Sequence, residues 1–253
     1  MAIEILIVLF FVAMLAGMID TLAGGGGLLT LPALMIAGLP PITAIATNKL
    51  QSVIGTGTST LMMFKNKKVA FKDVKLLMLL SFFGSLMGAM LVLIINTDAL
   101  EFLIPCILFL ILIYFLFAPN LASLENKTTS QKQNRIYTYI AVPLIGMYDG
   151  VFGPGTGSFF SAATVGLAGK NLRSATAAAK TFNFSTNLAA LLIFIIAGKT
   201  AWLVGIVMMG GQALGAWLGS HLLFKIDVKY LRALVVLMCA LMLAKYIYGM
   251  IIN

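Results

Sequence analysis

Long apolar runs recur from one end of this 253-residue chain to the other, at 5–19, 76–95, 102–117 and 231–243 among other places. A helix needs about 20 predominantly apolar residues to cross a hydrocarbon core of ~30 Å. In lipid every backbone polar group must be satisfied internally, which leaves helices or closed barrels. No stretch between the runs is long enough for a separate soluble domain, so what lies outside the bilayer is loop. The composition agrees: 61% of residues are hydrophobic and 10% are charged, against roughly 45–50% and 25% in soluble domains. The chain therefore reads as an all-α polytopic membrane protein. Residues 1–10 contain Glu4 and neither Lys nor Arg, unlike the start of a signal peptide, so the first helix is read as a membrane segment.

The pattern is duplicated. Gly17-Met18-Ile19-Asp20 is echoed by Gly146-Met147-Tyr148-Asp149, and in a nearly constant register Gly38, Ala44, Lys49, Gly84, Gly88 and Leu100 correspond to Gly169, Ala175, Lys180, Gly215, Gly219 and Leu231. A shared register over so many positions indicates an internal repeat. Residues 1–122 form a first membrane repeat, 123–135 a polar cytoplasmic linker, and 136–253 a second repeat. Each repeat reads as a long helix (3–21; 136–151), a glycine-rich break (24–27; 153–157), a short apolar segment (28–38; 158–168) and three longer helices. Those helices are 42–64, 73–96 and 99–118 in the first repeat and 175–197, 200–224 and 229–251 in the second.

The short segments are too short to cross alone. If they are re-entrant, each repeat crosses four times and the repeats are parallel; if they cross, the count is odd and the repeats are inverted. Inversion gathers the basic residues of 65–75, 127–135, 170–173 and 225–232 on one side. The positive-inside rule thus favours inverted repeats of about five segments each, with both termini outside. The same rule accounts for the net charge of +9 without nucleic acid, because the basic residues lie in short loops. Cys106 and Cys239 sit inside apolar segments without metal-ligand spacing and read as packing thiols. No paired histidines, Ser/His/Asp set or carboxylate cluster suggests an enzyme, and no cofactor or metal is expected.

Backbone left unpaired at membrane depth is tolerated where it lines a cavity or is buried in protein. Paired breaks in two repeats therefore point to a transport site, with Gly25, Gly26, Gly155 and Thr156 as its backbone members. The short segments would aim their amide ends at that site, which suits an anion. The third segment of each repeat adds side chains: Asn48, Lys49 and Gln51 in one, Lys180, Asn183 and Asn187 in the other. Charges inside apolar helices are functional by default, and the spacing of Lys180, Asn183 and Asn187 places them on one face. The structural alternative pairs each lysine with Asp20 or Asp149, or lets it reach an interface. Asp20 and Asp149, four residues before the breaks, are candidates for proton coupling as well as for salt bridges or helix capping. Gly84/Gly88 and Gly215/Gly219 form small-xxx-small packing faces. Trp202, Tyr137, Tyr139 and Tyr246 fit an aromatic belt.

These residues resemble the sulfite exporter TauE/SafE family, also called the toluene-sulfonate uptake permeases. The likeness rests on the opening from Gly17 through Gly24–Gly27 to Leu34, the run Ala44–Lys49 and the run Ala179–Asn187, and it covers essentially the whole chain. The resemblance implies a secondary transporter of sulfite, sulfonates, sulfoacetate or related organic anions in a bacterial inner membrane, driven by the proton gradient. A passive anion channel or a carrier of short carboxylates is the alternative, and a homo-oligomer is left open. Pro154 and Thr156 depart from the family's glycine run in the second repeat.

Overall fold

The computed structural model describes residues 2–117 and 128–222. Among them the chain forms ten α-helices: α1 (Ile3–Ala23), α2 (Gly27–Ile36), α3 (Pro41–Lys65), α4 (Phe71–Leu93), α5 (Thr97–Phe117), α6 (Gln131–Ile136), α7 (Val142–Val151), α8 (Thr156–Ala168), α9 (Leu172–Ile196) and α10 (Trp202–Leu222). A π-helical turn, Tyr137–Ala141, joins α6 to α7 without interruption. The segment expected at 229–251 lies outside the described residues. Four described helices are long and apolar enough to cross a membrane: α1, α4, α9 and α10.

Local chemistry explains where the helices begin. Pro41 opens α3, where its missing N–H costs nothing. Asn171 caps α9 by accepting from Ser174 N at 2.9 Å. The second long helix starts at Gln131, five residues before the expected 136, because Ser130 and Gln133 form a reciprocal capping box. Residues 131–135 are therefore helix rather than loop. The breaks are also narrower than expected: Gly27, Thr156 and Gly157 belong to the first turns of α2 and α8, where amide groups need no partner within the helix.

Glycine sets how the helices pack. On α10, Gly211, Gly215 and Gly219 lie against the backbone of Phe10, Met14 and Met18 of α1. On α4, Gly84 and Gly88 lie against Pro143 and Met147 of α7, while Gly146 and Gly150 return the contact onto Ser81 and Ser85. Within each pair the contacts advance together, so the two helices run in the same direction. At the α3–α9 contact, Gly57 faces the Phe184 ring and Thr60 Oγ1 donates to the Lys180 carbonyl at 3.1 Å. There the contacts step forward along α3 and back along α9.

The polar residues lie inside. α3 and α9 bury Asn48, Lys49, Gln51, Lys180, Asn183 and Asn187. α1, α4 and α10 turn Phe11, Leu79, Phe83, Met87, Ile206 and Leu214 outward. This is the reverse of a soluble protein and fits a lipid-facing surface. Tyr139 and Trp202 are exposed as an aromatic belt requires, whereas Tyr137 is not: it is 3% exposed and shares a hydrogen bond of 2.8 Å with Thr164 Oγ1. Its position near a segment end is overridden by a hydroxyl partner on α8.

A Cβ on Gly215 would overlap the Met14 carbonyl. Gly215→Val should lower stability by about 3 kcal/mol or more, read by thermal or denaturant unfolding in detergent. Gly166→Ala, which meets nothing within 4 Å, should change it by less than about 0.5 kcal/mol.

Candidate functional site

The two breaks touch. Gly24 ends α1 with φ +74°, and a Cβ there would overlap the backbone of Gly157 and Ser158. A Cβ on Gly157 would stand 2.6 Å from Gly24 Cα. Ser158 Oγ donates to the Ala23 carbonyl, and Gly27 faces Pro154. Main chain meets main chain here because neither glycine carries a side chain.

Around this contact the four charged candidates form two reciprocal pairs, each joining helices far apart in the chain. Lys49 Nζ of α3 lies 3.0 Å from Asp149 Oδ1 of α7. Lys180 Nζ of α9 lies 3.8 Å from Asp20 Oδ2 of α1 and donates to the Asp20 main-chain carbonyl. Both lysine side chains are 0% exposed. Neither lysine therefore reaches an interface: Lys49 finds Asp149, and Lys180 finds Asp20.

The pairs differ in detail. Asp149 Oδ1 also accepts from Thr156 Oγ1 at 2.8 Å, while its buried Oδ2 has no hydrogen-bond partner. Lys49 Nζ is close to Asp149 but off the hydrogen-bond direction, so the ammonium has no aligned acceptor. The Asp20 side chain is 13% exposed, and its Oδ1 accepts from Gly26 N at 3.3 Å.

The remaining candidates sort by these neighbours. Gly26 and Thr156 touch the aspartates directly. Gly25 is buried in the first break, its carbonyl accepting from Leu28 N. Gly155 faces Ile111 and Phe159 rather than a lysine. Asn48 Oδ1 accepts from Thr30 Oγ1 at 2.6 Å and from Gln51 Nε2 at 2.9 Å. Asn187 Nδ2 donates to the Asn183 carbonyl at 2.7 Å and to its Oδ1 at 3.2 Å, on the face shared with Lys180.

Two contributors, Thr30 and Gln212, went unrecognised in the sequence, and Gly153 was read there only as part of the second break. Gly153, at φ +94°, lies where a Cβ would be 2.7 Å from Lys49 Nζ. Thr30 anchors Asn48. Gln212 is 2% exposed, and its Oε1 has no partner. A polar residue in the middle of an apolar segment was the visible signal for Thr30 and Gln212.

The amide ends of α2 and α8 were expected to face an anion. Carboxylates of the chain itself already sit there, Asp20 at Gly26 and Asp149 at Thr156. Any external anion bound there would have to compete with an internal one. Among the described residues, no group of three His, Cys, Asp or Glu could hold a metal ion.

The family model described as "Sulfite exporter TauE/SafE" matches residues 9–246. The chain belongs to this family. Relatives of the TauE/SafE chain are named as transporters. It is 45% identical over 245 residues to the "Probable membrane transporter protein YfcA" of Escherichia coli (strain K12), covering 95% of this chain and 89% of that one. It is 39% identical over 246 residues to a "Probable membrane transporter protein" of Haemophilus influenzae, covering 97% and 96%. It is 24% identical over 246 residues to the "Probable membrane transporter protein YunE" of Bacillus subtilis, covering 88% and 90%. No solved structure matches. This TauE/SafE protein is a membrane transporter.

Removing one member of a buried pair strands the other. Lys49→Met and Asp149→Leu should each destabilise the protein by about 3–5 kcal/mol. The double variant should recover most of that loss, as a double-mutant cycle of unfolding in detergent would measure.

Proposed function

We propose that this transporter is a proton-coupled secondary carrier of small anions, of the class of sulfite, sulfonates or sulfoacetate, with its site where the two broken helices meet. The observation that carries the reading is the pair of reciprocal Lys–Asp contacts buried at that meeting point. Lys49, Lys180, Asn48, Gln51, Asn183 and Asn187 supply the cation and amide groups. Gly25, Gly26, Gly155 and Thr156 supply the backbone around them, and Asp20 and Asp149 exchange the proton.

The chemistry follows from charge balance. With both aspartates ionised, each lysine is neutralised and an incoming anion would be an uncompensated buried charge. A proton placed on Asp149 Oδ2, the oxygen without a partner, removes the internal anion and leaves Lys49 to an external one. Loss of that proton restores the pair and displaces the cargo. Anion and proton then travel together, with no net charge added to the site.

Inverted repeats, 1–122 and 136–253 about a 123–135 linker, fit this cycle, since each would present the same parts from the opposite side. The opposed directions of the equivalent helices α3 and α9 support that arrangement, as does the clustering of basic residues in alternate loops. A multi-pass location in a bacterial inner membrane is part of this reading, supported by the apolar helices and by bacterial relatives named as membrane transporters. The family description, which names sulfite, supports the choice of substrate class.

Purified protein in liposomes should accumulate labelled sulfite or sulfoacetate saturably, and faster under an imposed pH gradient. Lys180→Ala should reduce uptake at least about tenfold per folded protein, the folded fraction being read by size-exclusion elution because the variant strands Asp20. Uptake indifferent to the gradient would remove the coupling. Flux that never saturates would make the protein a passive channel, and full activity in the variant would take Lys180 out of the mechanism.

A further inference from the structure

One buried hydroxyl in the second break faces two acceptors. Thr156, 1% exposed, has its Oγ1 at 2.8 Å from Asp149 Oδ1 and at 2.7 Å from the Gly153 carbonyl oxygen, yet a hydroxyl has a single hydrogen to donate. The Gly153 carbonyl is not stranded when it loses that contest, because Thr156 N also donates to it at 3.2 Å. The hydroxyl can therefore serve either oxygen by turning about its own Cβ–Oγ1 bond.

The charge on Asp149 decides which way it turns. A hydrogen bond to an ionised acceptor is roughly twice as strong as one to a neutral group, so a carboxylate draws the hydroxyl and a protonated carboxyl releases it to Gly153. Lys49 rests against that same glycine: Gly153 stands at φ +94°, and a Cβ there would be 2.7 Å from Lys49 Nζ. The charge state of Asp149 thus reaches the backbone that walls its partner lysine.

Among the described residues, few other groups bear on Asp149. Lys49 of α3 lies 3.0 Å from Oδ1, the Tyr148 hydroxyl donates to the Pro154 carbonyl at 2.6 Å, and Lys180 of α9 and Asp20 of α1 hold each other. α4 meets α7 through Gly84 and Gly88. The first break lacks the device, since Gly27 follows Asp20 at the spacing by which Thr156 follows Asp149. Asp20 Oδ1 is served instead by Gly26 N at 3.3 Å, and a main-chain N–H cannot turn away when the carboxylate is neutralised.

Resting on the carrier reading above, we propose that the coupling proton is carried by Asp149 rather than Asp20, and that Thr156 is the positioning residue whose hydroxyl registers its arrival and passes it to the second break. With the proton on Oδ2, the hydroxyl turns to Gly153 and Lys49 is freed for the cargo. When the proton leaves, the hydroxyl returns to Oδ1 and the pair re-forms.

The test is uptake of labelled sulfoacetate into liposomes as a function of pH, a probe whose charge is constant above roughly pH 6. Thr156→Val, an isostere without the hydroxyl, removes a donor that favours the ionised carboxylate. The midpoint of uptake should move toward alkaline pH by about one unit, a tenfold change in proton affinity. Thr156→Ser keeps the hydroxyl and should hold the midpoint within about 0.3 unit of wild type. Asp20→Asn should keep the pH dependence. An unmoved midpoint in folded Thr156→Val, or a serine variant displaced as far as the valine one, would overturn the role of Thr156. Loss of the pH dependence in Asp20→Asn would move the proton to that residue and overturn the assignment to Asp149. Should Thr156→Val not fold, Thr156→Ala removes the same hydroxyl and should show the same displacement. Wild-type uptake without pH dependence, or no uptake at all, would instead count against the carrier reading, and this inference would fall with it.

Discussion

An ammonium group away from water must be matched by negative charge or abandoned as a charge. Here Lys49 and Lys180 are both sealed from solvent, so the fold has to deliver a carboxylate to each. It does so between distant parts of the chain: Lys49 of α3 meets Asp149 of α7, and Lys180 of α9 meets Asp20 of α1. The glycine breaks follow from this requirement. Asp20 and Asp149 lie just before them, and the turn of the chain after each aspartate brings Gly26 and Thr156 back onto the carboxylate. Without the breaks a straight helix would carry on past the charge, and the second half-helix would not close over it.

Much of this was legible in the sequence because membrane residence punishes ambiguity. A lysine in an apolar run is conspicuous, and so are four consecutive glycines, so the site's ingredients could be named in advance. Their pairing could not. Each lysine had two candidate aspartates, and the choice depends on how α3 and α9 cross, a property of packed helices and not of either segment. The same limit explains Tyr137, whose place near a segment end suggested the interface, while its hydroxyl partner Thr164 lies on a helix nearly thirty residues away. The early start of the second long helix was readable in principle, since Ser130 and Gln133 spell a capping box, but the polar residues after them resembled a linker.

The two pairs share a plan but not an environment. Asp149 is enclosed, holds Thr156 and keeps one oxygen bare, whereas Asp20 is partly open and Lys180 leans on a main-chain carbonyl. The polar residues around them differ too. α3 contributes Asn48 and Gln51, held by Thr30 of α2, and the place on α9 corresponding to Gln51 is taken by Phe182. The two centres use the same residue types and are unequal in what surrounds them.

The glycine contacts of α1 with α10 and of α4 with α7 bear on how such a molecule can deform. Main chains that touch along several turns resist sliding, since any shear drives carbonyl oxygens into the neighbouring Cα atoms. Each couple therefore behaves as a stiff plank. The seam between the planks is built differently: where α3 crosses α9, a hydroxyl meets a main-chain carbonyl and a glycine meets a ring edge. Both buried Lys–Asp pairs also bridge one plank to the other, so any tilt between them has to loosen or exchange those pairs.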